Sequence, residues 1–240
     1  MAKTISDMAA AVKGKIGARV TGKIGQRAVD DVVVEKIYEA MLEIAKSPEC
    51  KFLQTFAETS FDENNFVYDL PTENLDGDTI RIKNISDLHI KIEGDSNSFP
   101  LDRITPKHMS DMVGIRDTSR TRRPAFYCFY NNQIELDCYP DTTYVVQMRV
   151  NLWPSTININ STCPFDDEWN NVIEIGAAAL CFRELQQTED AESQLAEFRR
   201  LMITTFAAHN QDPDWRPSAL PPSMRRNRVP AASIIDAYVR

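Results

Sequence analysis

The 240-residue chain has no apolar run approaching the ~20 residues of a membrane-crossing helix, and nothing apolar follows Met1-Ala2-Lys3 beyond Met8 to Val12. The reading is therefore of a chain with no membrane span and no secretory leader, made and kept in a cytoplasm-like compartment; the sequons at Asn84 and Asn160 are then chance matches. Five cysteines, Cys50, Cys128, Cys138, Cys163 and Cys181, are odd in number and scattered, with no C-x-x-C and no Cys/His pair at metal-ligand spacing. They predict reduced, mostly buried thiols and no metal. The three histidines, His89, His108 and His209, have no glutamate or cysteine at ligand spacing, and no G-x-S-x-G, H-E-x-x-H or paired-glycine nucleotide motif occurs. The sequence thus offers no active site and calls for no cofactor.

Glycine is also scarce, eight in all, and four of the eight fall in the echo Gly14-Lys15-Ile16-Gly17 and Gly22-Lys23-Ile24-Gly25. Each costs a helix roughly 1 kcal/mol against alanine, so residues 1–29 read as a flexible basic arm. Gly17 to Lys23 spells G-x-x-x-x-G-K, but Ile24 stands where a serine or threonine must hold magnesium, and no buried strand precedes it.

Charge is plentiful and uneven. The formal net charge is −8, from 27 bases and 35 acids. Residues 1–30 hold six bases against two acids and residues 210–240 hold five against three, which leaves 16 bases, 30 acids and a net −14 for residues 31–209. Basic ends flank an acidic body, a pattern suited to docking the ends on acidic neighbouring surfaces.

The longest helical signal runs from Pro164 to His209. Phe165, Trp169, Val172, Ile173, Gly176 and Leu180 fall on one stripe, with Ser161 or Thr162 as cap and Asp166, Asp167 and Glu168 at the positive end of the dipole. A second stripe, Leu195, Phe198, Leu201, Met202 and Phe206, follows a polar break at Gln186-Gln187-Thr188. The two predict an antiparallel helical hairpin with Trp169, Val172, Leu180, Phe198 and Phe206 in its core. An earlier helix is predicted from Asp30 to Lys46, on Val33, Ile37, Met41 and Ile44 or Ala45, and a short one from Thr105-Pro106 to Val113.

Between the helices the period is two. Phe52 to Thr59 and Asn65 to Pro71 read as a hairpin, and Ile80 to Glu93 as a strand-rich run broken at Asn84 to Asp87. Phe126 to Tyr130, Gln133 to Cys138 and Tyr144 to Leu152 read as a three-strand meander, its first turn made by Asn131-Asn132 and with Asp137 pointing away from Ile134, Leu136 and Cys138. The fold class is α+β: a helix bundle with a C-terminal antiparallel helical hairpin, an antiparallel β-rich part, and extended arms at both ends. Arg120, Arg122, Arg123, Phe126 and Tyr127 have the composition of a nucleic-acid patch, yet a pI near 5.0 favours a solvated loop followed by core aromatics.

The order of these parts, with the strands to IKIEG, FPLDRITPKHM, the meander RRPAFYCFYNNQIELDCYPDTTYVVQMRVNLWP and the helix from DDEWNNVIEIGAAALCF, resembles the head-to-tail adaptor proteins of tailed bacteriophages, also called connector or tail tubular protein A. The likeness covers about residues 28 to 210. Cys138-Tyr139-Pro140 holds the place of the family's proline turn and Glu168-Trp169 that of its aromatic helix start. The resemblance implies a virion protein at the head-to-tail junction, assembled in the host cytoplasm. It also implies a ring of roughly a dozen copies beneath the portal protein, with a helical part facing the portal and a β-rich part facing a tail, nozzle or tube protein. DNA would pass through the lumen without specific binding. The competing class is a soluble non-viral binding module or an uncharacterised enzyme on a mixed fold.

The adaptor domain would span residues 30–210, leaving 211–240 as an arm rich in proline and arginine that lies outside the likeness. Arg216, Arg225, Arg226 and Arg228 supply positive charge along it, and Ile234, Ile235, Tyr238 and Val239 an apolar tip, the composition of a peptide that docks on a portal or on a neighbouring copy.

Overall fold

A computed structural model of the chain describes residues 3–17, 23–24, 27–48, 50, 53–63, 65–114 and 121–209. Its helical part is built from both flanks of the sequence. Helices α1 (Ile5–Ile16) and α2 (Val29–Lys46) come before the strands; α4 (Asn170–Glu184), entered through a 3-10 turn at Asp167–Trp169, and α5 (Thr188–His209) come after them. One apolar cluster joins all four, from Ile5, Met8 and Val12 through Val33, Ile37 and Met41 to Trp169, Val172, Ile173, Phe198 and Phe206. Alpha4 lies at its centre, in contact with each of the other three. Trp169 meets Phe206 edge to face at 4.7 Å while Gly176 meets Phe198 further on, so α4 and α5 run antiparallel.

The arm expected over residues 1–29 is corrected by α1. Its apolar positions Ile5, Met8, Ala9, Val12 and Ile16 recur at helical spacing and are all buried, and this burial outweighs the helix cost of Gly14, which is wholly outward with open space around it. Thr4 caps the helix, its Oγ1 accepting from the Asp7 amide at 3.1 Å. The chain ahead of the cap pairs with residues 161–163: Ile5 N donates to Ser161 O and Cys163 N to Lys3 O. Ser161 and Thr162, expected to cap the next helix, lie in this pairing instead, the Ser161 hydroxyl accepting from the Asn158 amide at 3.0 Å, and the helical turn begins only after Asp166. Lys3 and Lys15 reach the buried Glu174 of α4, Lys15 at 3.9 Å, so α1 is tied to α4 by charge as well as packing.

The strand-rich part is a sandwich of two sheets. One has the order β3 (Gln54–Phe61), β10 (Tyr144–Leu152), β5 (Ile82–Ile92) and β6 (Phe99–Pro100). The other has β4 (Val67–Asp69), β9 (Gln133–Leu136), β8 (Phe126–Tyr130) and β7 (Asp102–Arg103), the last pair parallel. A two-residue ladder, β1 (Lys23–Ile24) with β2 (Arg27–Ala28), precedes α2, and α3 (Pro106–Val113), capped by Thr105, follows β7. The inner faces share one cluster, Ala57, Phe61, Leu88, Ile90, Val146 and Met148 from the first sheet with Tyr127, Ile134 and Leu136 from the second.

Two local pairings expected from sequence are replaced by this topology. Beta3 and β4 are not a hairpin: β3 pairs with β10 and β4 with β9, each on a different sheet. The meander stops after two strands, since β10 leaves β9 for the space between β3 and β5. A strand with Tyr144, Val146, Met148 and Val150 all buried gains more by sitting centrally, with neighbours on both edges, than by extending the second sheet. The Asn131-Asn132 turn forms with φ of 51° and 60°, the left-handed pair of a tight hairpin.

The run expected to break at Asn84 to Asp87 is a continuous β5 with two register shifts, opposite Arg149/Val150 and Asn151/Leu152. These shifts are what let Ile82, Ile85, Leu88 and Ile90 all face inward despite their uneven spacing. Lys83 falls in the second shift and is turned out of the ladder towards α2, where its ammonium donates to the carbonyls of Ala45 and Ser47, the latter at 2.7 Å, and lies 5.8 Å from the Trp153 ring centre. It caps the negative end of α2 and fastens the sandwich to the helical part. Burial pulls the Lys83 pKa down.

Candidate functional site

Among the described residues no group of three or more His, Cys, Asp or Glu side chains is placed to hold a metal ion. His89 and His108 are exposed, on β5 and α3. The G-x-x-x-x-G-K stretch begins at the end of α1, a helix where a phosphate-binding loop requires a strand; its residues 18–22 lie outside the described set. In the basic and aromatic stretch leading into β8, the exposed Arg122 pairs with Asp137 at 2.9 Å, the exposed Arg123 stands 4.1 Å over the Phe99 ring, and Tyr127 is buried. Arg120 is outside the described residues.

Asp137 departs from the alternation expected of its strand. It is buried, its carboxylate accepting from the Ala125 and Phe126 amides at 3.1 and 3.2 Å and from Arg122. The residue lies just past the last paired position of β9, where the backbone turns and the two-residue period lapses.

All five cysteines are free and buried. Burial pushes four of the thiols up, to about 11 for Cys50 and Cys138, about 12 for Cys181, and in the same direction for Cys163. Because an unfolded thiol titrates near 8.5, the folded chain keeps protons that the unfolded chain gives up, so this contribution is intact below that pH and fades as pH rises towards the folded values. Stability is expected to fall above about pH 9, by up to about 1.4 kcal/mol per pH unit for each such thiol. Denaturant midpoints at pH 7, 9 and 10 check this, and Cys181→Ala should flatten the decline; an equal slope in the variant removes Cys181 from the account.

Among the described residues a groove of about 420 Å³ with an apolar floor opens between α2, α4 and α5. Its floor is Ala40, Leu42, Leu180, Leu195, Phe198 and Met202. Gly176 allows the close approach beneath it, since a Cβ there would stand 2.7 Å from the Phe198 ring and 3.1 Å from the Ala40 Cβ. Of the residues expected in the hairpin core, Trp169, Val172, Phe198 and Phe206 are each at most 4% exposed, while Leu180 packs against that core half-buried, with its other side on the groove. Glu39, Glu43 and Lys46 of α2, with Arg183 of α4 and Arg199 of α5, also line it, Glu43 being paired with Lys46 at 2.7 Å.

Beside the groove, the buried Lys36 holds Glu39 and Glu184 at 3.0 Å and Glu35 at 3.5 Å. Burial opposes its charge, but the bonds to Glu184 and Glu39 prevail and its pKa is raised. The ammonium therefore stays charged and cross-links α2 to α4, a role in fixing the groove wall rather than in proton transfer.

Sequence reasoning missed the groove because Leu42 and Leu195 were not read as a surface. Leu42 sits next to the buried stripe of α2, and Leu195 continues into Met202 on a face of α5 that α4 does not cover. The docking residues expected on the C-terminal arm, Arg216, Arg225, Arg226, Arg228, Ile234, Ile235, Tyr238 and Val239, lie outside the described residues. No described helix is long and apolar enough to cross a membrane. A comparison with known protein-family models and curated protein sequences finds no match to the chain.

Proposed function

We propose that the chain is a structural head-to-tail adaptor of a tailed-bacteriophage virion, acting without chemistry as one subunit of a ring between portal and tail through which DNA passes. The observation that supports this most is the division of the chain into two bodies. A helical core made from both flanks and an inserted β-sandwich give one subunit two different faces, which is what a part meeting the portal and a part meeting a tail or nozzle protein require. The net −14 of residues 31–209 suits a lumen border, because like charge keeps the phosphate backbone from adhering. Assembly would take place in the host cytoplasm, and the C-terminal arm would reach the portal or a neighbouring copy.

The test is to mix the purified chain with portal protein and image the product. A closed ring of about a dozen copies on the portal supports the reading. A chain that stays monomeric with portal present and turns over a substrate places it instead among enzymes, and tight, salt-sensitive binding of duplex DNA by the acidic body removes the passive channel.

A further inference from the structure

We propose that in the free protein the α2/α4/α5 groove is occupied by residues 231–239 of its own chain. The groove, with its apolar floor, is left open by the described residues, and 31 residues follow α5. Within them, Ile234, Ile235, Tyr238 and Val239 recur at i, i+1, i+4 and i+5, one stripe of a helix about 14 Å long, the form in which apolar side chains enter a groove between helices. The remaining apolar residues of the segment, Leu220, Met224 and Trp215 among them, are separated by Pro217, Pro221 and Pro222 and form no such stripe.

The acidic groups of the groove are already engaged within the fold, Glu43 with Lys46 at 2.7 Å and Glu39 with Lys36 at 3.0 Å, so the apolar stripe and its tether carry the proposal.

Reach decides between the same chain and a second copy. Met202, the last groove residue on α5, lies seven residues before His209, a distance of about 10 Å along the helix. The 21 residues 210–230 between His209 and the segment span about 25 Å even as a random coil, more if proline extends them. A tethered segment of that length meets its own groove at an effective concentration on the order of millimolar, far above any second chain in dilute solution. The inference does not depend on the adaptor reading; if that reading holds, assembly exchanges the segment from its own groove to the portal or a neighbour.

The experiment uses the full chain and a fluorescent peptide of residues 229–240. The double variant Ile235→Asp/Tyr238→Asp, whose own segment cannot fill the groove, should bind the peptide at least about tenfold more tightly than the wild-type chain does, because the tether no longer competes. Adding Met202→Glu, or separately Leu195→Glu, should abolish that binding. Equal binding by wild type and double variant overturns the proposal, as does no binding by either. So does a wild-type chain that dimerises with concentration while the double variant stays monomeric, an outcome that makes a second copy the occupant.

Discussion

Replacing Trp169 with alanine is expected to remove about 3–5 kcal/mol of stability, the largest single loss in the helical core. The indole has no exposed surface, lies 4.7 Å from Phe206 and 6.3 Å from Phe165 in edge-to-face contacts, and sits where the 3-10 turn enters α4. Three elements close on it, so neighbouring backbone cannot follow the side chain into the space it leaves, and the cavity term adds to the lost burial. Trp169→Phe keeps an aromatic edge against Phe206 and should recover most of the loss. Chemical denaturation of the three proteins measures this; an unchanged midpoint for Trp169→Ala would place the indole outside the core.

Asp137→Ala is expected to cost about 2–4 kcal/mol, and to act on the sandwich rather than on the helices. The deletion strands the Ala125 and Phe126 amides and frees Arg122, but these losses differ in size. The Arg122 side chain is 65% exposed and water replaces its partner cheaply, so the amides carry the effect. Asp137→Asn retains one acceptor oxygen and should fall between wild type and alanine. If alanine and asparagine cost the same, and both less than about 1 kcal/mol, the carboxylate is not what holds the start of β8 to the end of β9.

Local patterns carried much of this fold. The helix at Val29–Lys46, the Thr105-capped helix, the Asn131-Asn132 turn and the inward face of β10 are each decided within a few residues, by periodicity, capping or positive φ. What escaped is non-local. Beta10 satisfies the pattern of a third meander strand equally well beside β9 or between β3 and β5, and only the second choice gives it two neighbours. Alpha1 was hidden by glycine content because its burial depends on α4, far away in sequence. Of the groove, Leu180, Phe198 and Met202 were legible as apolar, yet burial against solvent exposure depends on which helix covers them, and nothing within one helix records that.

The insertion of the sandwich between two halves of the helical core governs the order in which the protein can form. Alpha1 and α2 precede the sandwich in the chain, yet the partner that buries their apolar faces, α4, follows only after every described strand, and the Lys3 to Glu174 bond bridges 171 positions. Closing a loop of that length is costly while the middle is unfolded. Once the strands pair the cost largely vanishes, because Gln54 at the entry of the sandwich stands directly opposite Asn151 near its exit, their side chains joined at 2.8 Å. The folded sandwich is thus a clasp that delivers the two helical halves to each other, and lesions at the centre of β3 or β10 should slow assembly of the helical core.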